Sequence, residues 1–290
     1  MSLQIIINGL ALGSVYALIA TGFALIFNVL KFSNFAHGAM MTCGAFVGYF
    51  LAAGKGFGLF PTILISMIAG GVIGIGGEFI AFKRIIANHS SHIYFFVSSI
   101  TLGTLLEGIV TLKVGANFYN YPRFFKVATI NIGNIIISKS DAMMFCFSTM
   151  ALLLLWYIIR YTKQGRAIRS VSFDRDTASL MGINVESVIL ITFFVSGALA
   201  GLAGVFLGIN YTLYPTLGSL VVKGFIASVI GGLGSLPGAI IGAVFLGLLE
   251  TLLIHTVGSG YAPALTFSVM LIFLLVRPQG ISGSNIQEKA

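Results

Sequence analysis

The sequence is poor in charge. Lys, Arg, Asp and Glu make up 8% of its 290 residues, against roughly 25% in a soluble domain. A soluble fold of this length could not cover its surface with so few. That excludes an ordinary cytosolic enzyme, a disordered chain and a nucleic-acid-binding module. Acid is scarcer than base, with eight Asp and Glu against 16 Lys and Arg. Cysteine is nearly absent: Cys43 and Cys146 stand in separate apolar runs, without a partner at metal-ligand spacing, and read as small packing residues. The nucleotide-binding pattern GxxxxGK[ST] does not occur, and no acidic motif for phosphoryl transfer does, so this chain is expected to bind no ATP or Mg itself. No basic stretch precedes the first apolar run, where the first cation is Lys31, so that run is expected to be a retained span.

What fills the sequence is hydrophobicity: 57% apolar residues and a mean hydropathy of +1.02. Only helices or closed barrels satisfy their backbone in lipid. A barrel would read as alternating segments of about ten residues; here the apolar runs reach about 20, the length of a spanning helix. Nine such segments stand out: Gln4–Leu30, Phe32–Ala53, Phe57–Phe82, Ile93–Leu112, Ala142–Ile159, Ser187–Ile209, Leu217–Gly234, Pro237–His255 and Tyr261–Val276. Leu217–Gly234 holds Lys223 and the run Gly231-Gly232-Leu233-Gly234, so it reads as a tilted span or as broken half-helices. The expected fold is an all-α polytopic membrane bundle of eight or nine transmembrane segments, with at least one short or broken helix. It forms a single domain over 1–290.

The stretch Arg160–Glu186 carries five cations and is placed in the cytoplasm. With nine crossings, ten Lys and Arg then lie inside and five outside, and the N-terminus lies outside. A second long loop, at about 113–141, becomes extracytoplasmic. Its aromatics Phe118, Tyr119, Tyr121, Phe124 and Phe125 fit either a segment lying at the bilayer interface or part of a docking surface. Many of the 36 glycines are spaced by four inside apolar runs, as in Gly70/Gly74 and Gly197/Gly201. One turn apart, they open grooves where another backbone can approach.

The most informative segment is GRAIRSVSFDRDTASLMGIN, Gly165–Asn184. Asp174 can cap a short helix over Arg175–Met181, and Gly182 can end it in a left-handed conformation. Asn184 can cap the next span, with Glu186 in its first turn. A capped helix between two spans on the cytoplasmic face is a lever that a soluble partner could push; it also fits an ordinary basic loop.

The whole chain resembles the permease subunits of bacterial ATP-binding-cassette importers for branched-chain amino acids, and among them the shorter permease of the usual pair. The likeness lies in the opening NGLALGSVYALIATGFALIFNVLKFSNFAHGAM, in the segment just described with TFFVSGALAGLAGV after it, in KGFIASVIGGLGSLPGAIIGAVFLGLLE, and in the ending LLVRPQGISG. It implies a multi-pass protein of the bacterial inner membrane, bathed in lipid, with no nucleic acid. The implied partners are a homologous second permease, two cytoplasmic ATPase subunits that use ATP and Mg, and an extracytoplasmic binding protein. It also implies that Arg175, Asp176, Ala178 and Gly182 belong to the segment that couples to the ATPase, and that Gly182→Arg uncouples transport.

Ionisable and polar groups within spans are costly and so worth marking. Asn34, His37, Glu107 and Glu250 are candidates for the substrate pathway, where an acid could meet an ammonium group. Each also fits a satisfied packing position. Glu78 lies beside Lys83 and Arg84, which can pair with it. No second His or Cys stands near His37, so no metal site is expected. Rival readings are the same architecture carrying urea, short amides or nucleosides, and an ion-coupled secondary transporter. The latter would show an inverted repeat and charges at the midplane. A membrane enzyme would need a convergent polar constellation, which is not evident.

Overall fold

The computed structural model describes residues 2–88, 90–125, 129–132, 135–277 and 280–282. It is a helical bundle. The helices are α1 (Ser2–Leu30), α2 (Ala36–Lys55), α3 (Leu59–Gly77), α4 (Lys83–Ala87), α5 (His92–Val114), α6 (Lys139–Tyr161), α7 (Lys163–Phe173), α8 (Arg175–Leu180), α9 (Val185–Asn210), α10 (Val221–Gly231), α11 (Leu236–Val257) and α12 (Ala262–Val276). A π-helical turn, Glu78–Phe82, joins α3 to α4, and a 3-10 turn, Leu217–Leu220, leads into α10. A small antiparallel hairpin, β1 (Thr129–Ile132) and β2 (Ile135–Ser138), precedes α6.

Each of the nine apolar segments is helical. Among the described residues seven helices are long and apolar enough to cross a membrane, and Leu217–Gly231 and Ala262–Val276 are shorter. The α10 helix has 11 residues, or about 16 Å at 1.5 Å per residue, half of a bilayer core.

The α1 helix carries no charged residue and lies at the centre, with Val15, Leu18, Ile19, Phe23 and Ile26 fully enclosed. Around it the helices approach through glycine. Gly70 on α3 and Gly197 on α9 face each other's backbone: a Cβ on Gly197 would lie 2.8 Å from the Gly70 carbonyl carbon and 3.2 Å from Gly71 Cα.

Lys31, with φ at +57°, ends α1 in the left-handed region, and Asn34 Oδ1 accepts from Ala36 N–H at 3.1 Å to start α2. The second span therefore begins at Ala36 rather than at Phe32. It begins deep: His37 packs on Gly22, whose Cβ would fall 2.6 Å from His37 Cε1. Gly22 is seven residues, about 10 Å, up α1 from Val29. The 3-10 turn meets α2 at the same level, since a Cβ on Gly218 would lie 2.6 Å from the Gly38 carbonyl carbon. Two helix starts thus meet inside the bundle.

The long loop turns inward. Tyr119 and Leu213 exchange backbone hydrogen bonds of 2.8 and 2.9 Å, and the Tyr121 hydroxyl donates to the Ala45 carbonyl at 2.5 Å. Tyr121 is buried and Phe118 of the aromatic cluster stands well exposed; the two tyrosines pack against α2 at Phe46, Tyr49 and Ala45.

Candidate functional site

The polar segment between α6 and α9 folds into two short helices, only the second of which is expected from the sequence. The first, α7, starts where Thr162 Oγ1 accepts from Gly165 N–H at 3.1 Å. It buries Gly165, Ile168, Val171 and Ser172 along one face. The spacing of Ile168, Val171 and Ser172 was a legible signal for this helix.

The second, α8, is built from local chemistry. Asp174 Oδ1 accepts from Thr177 N–H at 2.6 Å, which satisfies one orphan donor of the first turn. At the other end Gly182, with φ at +83°, closes a Schellman motif: its N–H donates to Ser179 at 3.0 Å and that of Ile183 donates to Ala178 at 3.1 Å. Asn184 Oδ1 then accepts from Ser187 N–H at 3.0 Å to open α9.

The four residues singled out for coupling divide between two faces. Ala178 is buried against the bundle. Arg175 turns inward too, and its Nε and Nη2 donate to the Val29 carbonyl at 3.1 and 2.8 Å. It ties α8 to the end of α1, where free carbonyls and the helix dipole favour a cation. Asp176 and Gly182 face solvent, with nothing near Gly182. The outward face is dominated by residues absent from the sequence assignment: Phe173, Leu180 and Met181 are 94%, 88% and 80% exposed. An open groove of about 640 Å³ lies beside them, rimmed by Arg166, Arg169, Phe173 and Met181. A second tie comes from Lys83, which pairs with Glu186 in the first turn of α9. Lys83 thus makes its ion pair with Glu186 and not with Glu78, whose buried Oε2 has no hydrogen-bond partner among the described residues.

The Thr177 N–H, the first of its hydrogen bonds, holds the Asp174 carboxyl below the usual carboxylate range. A depressed folded-state pKa means that the cap's contribution is complete above the unfolded value, about 3.9, and is lost as pH falls through the folded value. Asp174→Ala should speed hydrogen exchange at the Thr177 amide at neutral pH. In the native chain the same amide should lose protection only under acid conditions. Equal exchange in both proteins at pH 7 would remove the cap from the account.

The four interior candidates do not form one site. Asn34 and His37 are enclosed, 1% and 0% exposed. Ser196 Oγ donates to the Gly22 carbonyl at 2.9 Å and lies 3.1 Å from His37 Nδ1. A hydroxyl has one proton; given to Gly22, it leaves Nδ1 as the donor in the second contact, and Nε2 is buried with no hydrogen-bond partner among the described residues. Glu250 is enclosed in an ion pair with Lys223 at 2.5 Å. Glu107 alone of the four is partly open, on a sector of α5 that also presents Thr101, Thr104 and Gly108. Among the described residues no group of three His, Cys, Asp or Glu could hold a metal ion.

Residues 5–276 match the family described as "Branched-chain amino acid transport system / permease component". The chain is 33% identical to the high-affinity branched-chain amino acid transport system permease protein LivH of Salmonella typhimurium, over 99% of this chain and 97% of that one. It is 30% identical to the corresponding protein BraD of Pseudomonas aeruginosa, with the same shares covered. Among solved structures it resembles PsaBC from Streptococcus pneumoniae in complex with Fab, at 18% identity, a TM-score of 0.53, and 94% and 91% of the two chains covered. That last likeness is one of fold.

Proposed function

Because this chain belongs to the branched-chain amino acid transport permease family, we propose that it forms half of the membrane pathway of an ATP-driven importer for branched-chain amino acids. It is a permease subunit and not an enzyme, a multi-pass protein of the bacterial inner membrane. Its partners in this reading are a homologous second permease, two cytoplasmic ATPase subunits that bind ATP and Mg, and an extracytoplasmic binding protein that delivers the cargo.

The observation that carries the reading is the exposed apolar surface at the two ends of α8. Phe173 before it, Leu180 in its last turn and Met181 just after it stand in water among basic residues; a protein partner that covers them gains their burial. Closure of the ATPase subunits would push on α8, and Arg175 and the Lys83–Glu186 pair would pass the push to α1 and to the π-helical turn below α3. The substrate pathway in this reading includes the hydroxylated sector of α5, where Glu107 and the threonines would offer polar contacts to the passing cargo and the second permease would supply the opposite wall. Asn34 and His37, enclosed as they are, would act by holding the start of α2.

The test is reconstitution. The permease pair, the ATPase subunits and the binding protein in liposomes should accumulate labelled leucine, isoleucine and valine only with ATP inside, and urea or a nucleoside should not compete. Uptake that ignores ATP and follows an ion gradient would replace this reading with a secondary transporter.

A further inference from the structure

Three helices bring Lys223, Glu250 and Tyr16 together inside the bundle. Lys223 Nζ donates to Glu250 Oε1 at 2.5 Å and to the Tyr16 hydroxyl at 3.1 Å, and that hydroxyl donates to Glu250 Oε2 at 3.0 Å. The charged side chains are 13% and 7% exposed. Charges at such depth are expensive, and they mark substrate and ion pathways more often than scaffolding.

The position of the lysine is informative. Lys223 lies in the first turn of α10, where the helix dipole opposes a cation, so it does not serve that helix. The 3-10 turn before it meets the start of α2 at Gly218 and Gly38, and both helix starts add partial positive charge. Lys223 and the two positive helix ends therefore gather positive charge around Glu250, and the arrangement suits a visiting carboxylate. Glu250 in turn suits a visiting cation.

The pair also lies toward one end of the bundle. Glu250 is seven residues from Val257, the end of α11, or about 10 Å. That end is the one beside Gly9 of α1, since a Cβ on Gly9 would lie 3.0 Å from Leu248 Cα. It is thus opposite the Val29 end held by α8. Tyr211, just past the end of α9, lies on the same side: burial, then the charges of Glu250 and Asp141, push its hydroxyl up to about 12.

We propose that Lys223 and Glu250 form a zwitterion-exchange site, in which Lys223 takes the α-carboxylate and Glu250 the α-ammonium of an amino acid entering from the extracytoplasmic side. Between passages the two side chains pair with each other. Exchange replaces one ion pair by two, so no charge is left alone, and the Tyr16 hydroxyl, able to donate and accept, bridges the change. The site reads the backbone of the cargo and not its side chain. It rests on the amino-acid reading above.

The experiment compares leucine uptake by reconstituted wild-type, K223M/E250Q, K223R and E250D importers. Removing both charges together leaves no orphan, so the double variant should still co-purify with its partner subunits. Its uptake should fall at least 10-fold. K223R and E250D keep both charges but displace them; their KM should rise at least three-fold, with a smaller change in maximal rate. Wild-type KM in K223R and E250D overturns the site, whether or not the double variant assembles, as does wild-type uptake by the double variant. A wild-type importer that carries no amino acid overturns the proposed function itself, and is told apart by that control alone.

Discussion

Leu180→Glu together with Met181→Glu should abolish uptake, with a loss of at least 10-fold and release of the ATPase subunits on purification. Both side chains stand almost entirely in water, so the isolated permease loses nothing by the change. The Asp174 cap and the Gly182 closure of α8 remain. In the proposed importer the two side chains would become buried, each worth about 1.5–3 kcal/mol. Their loss alone would weaken docking by about two to four powers of ten, at about 1.4 kcal/mol per power, before the cost of burying two carboxylates. Wild-type uptake by this variant would place the docking surface elsewhere. Gly182→Arg is a less clean probe. At φ +83° any side chain strains the backbone by about 1–2 kcal/mol, so a defect there would report on the turn as much as on the partner.

The second large effect lies in the bundle. Gly197→Leu should leave little folded protein in the membrane. A Cβ at 197 meets backbone atoms of Gly70 and Gly71 on α3, and a backbone cannot rotate out of the way as a side chain can. Overpacking usually costs about 1–3 kcal/mol; here α3 and α9 must separate along their length, so the top of that range is the minimum expected. Gly76→Leu, on the same α3, is the control. Nothing lies within 4 Å of it, and its yield and thermal midpoint in detergent should match the native protein. If both variants behave alike, the close crossing is not what holds these helices.

Much of this was legible in the sequence, and the parts that were have a common character. The spans follow from apolar length, and α8 follows from Asp174, Gly182 and Asn184, each of which acts within three or four residues of itself. What was not legible is contact across the chain. Arg175 reaches Val29, 146 positions away, so this member of the segment that the resemblance assigns to coupling points inward. Ala178, buried on the same short helix, also faces the bundle. Glu250 as an isolated acid invites a role in the pathway, but its pairing with Lys223 and Tyr16 appears only once α1, α10 and α11 have packed. The α7 helix was missed although its apolar spacing was present, because a stretch with three cations reads first as a loop.

Where α3 and α9 touch backbone to backbone, no side-chain teeth separate them. Sliding one past the other would drive each glycine groove onto the Cβ atoms of the next turn, so the two helices must travel as a single welded strut. Any rocking of the bundle during transport is thereby confined to seams where long side chains intervene. The glycine seam is then the fixed frame against which those side-chain-packed seams would give.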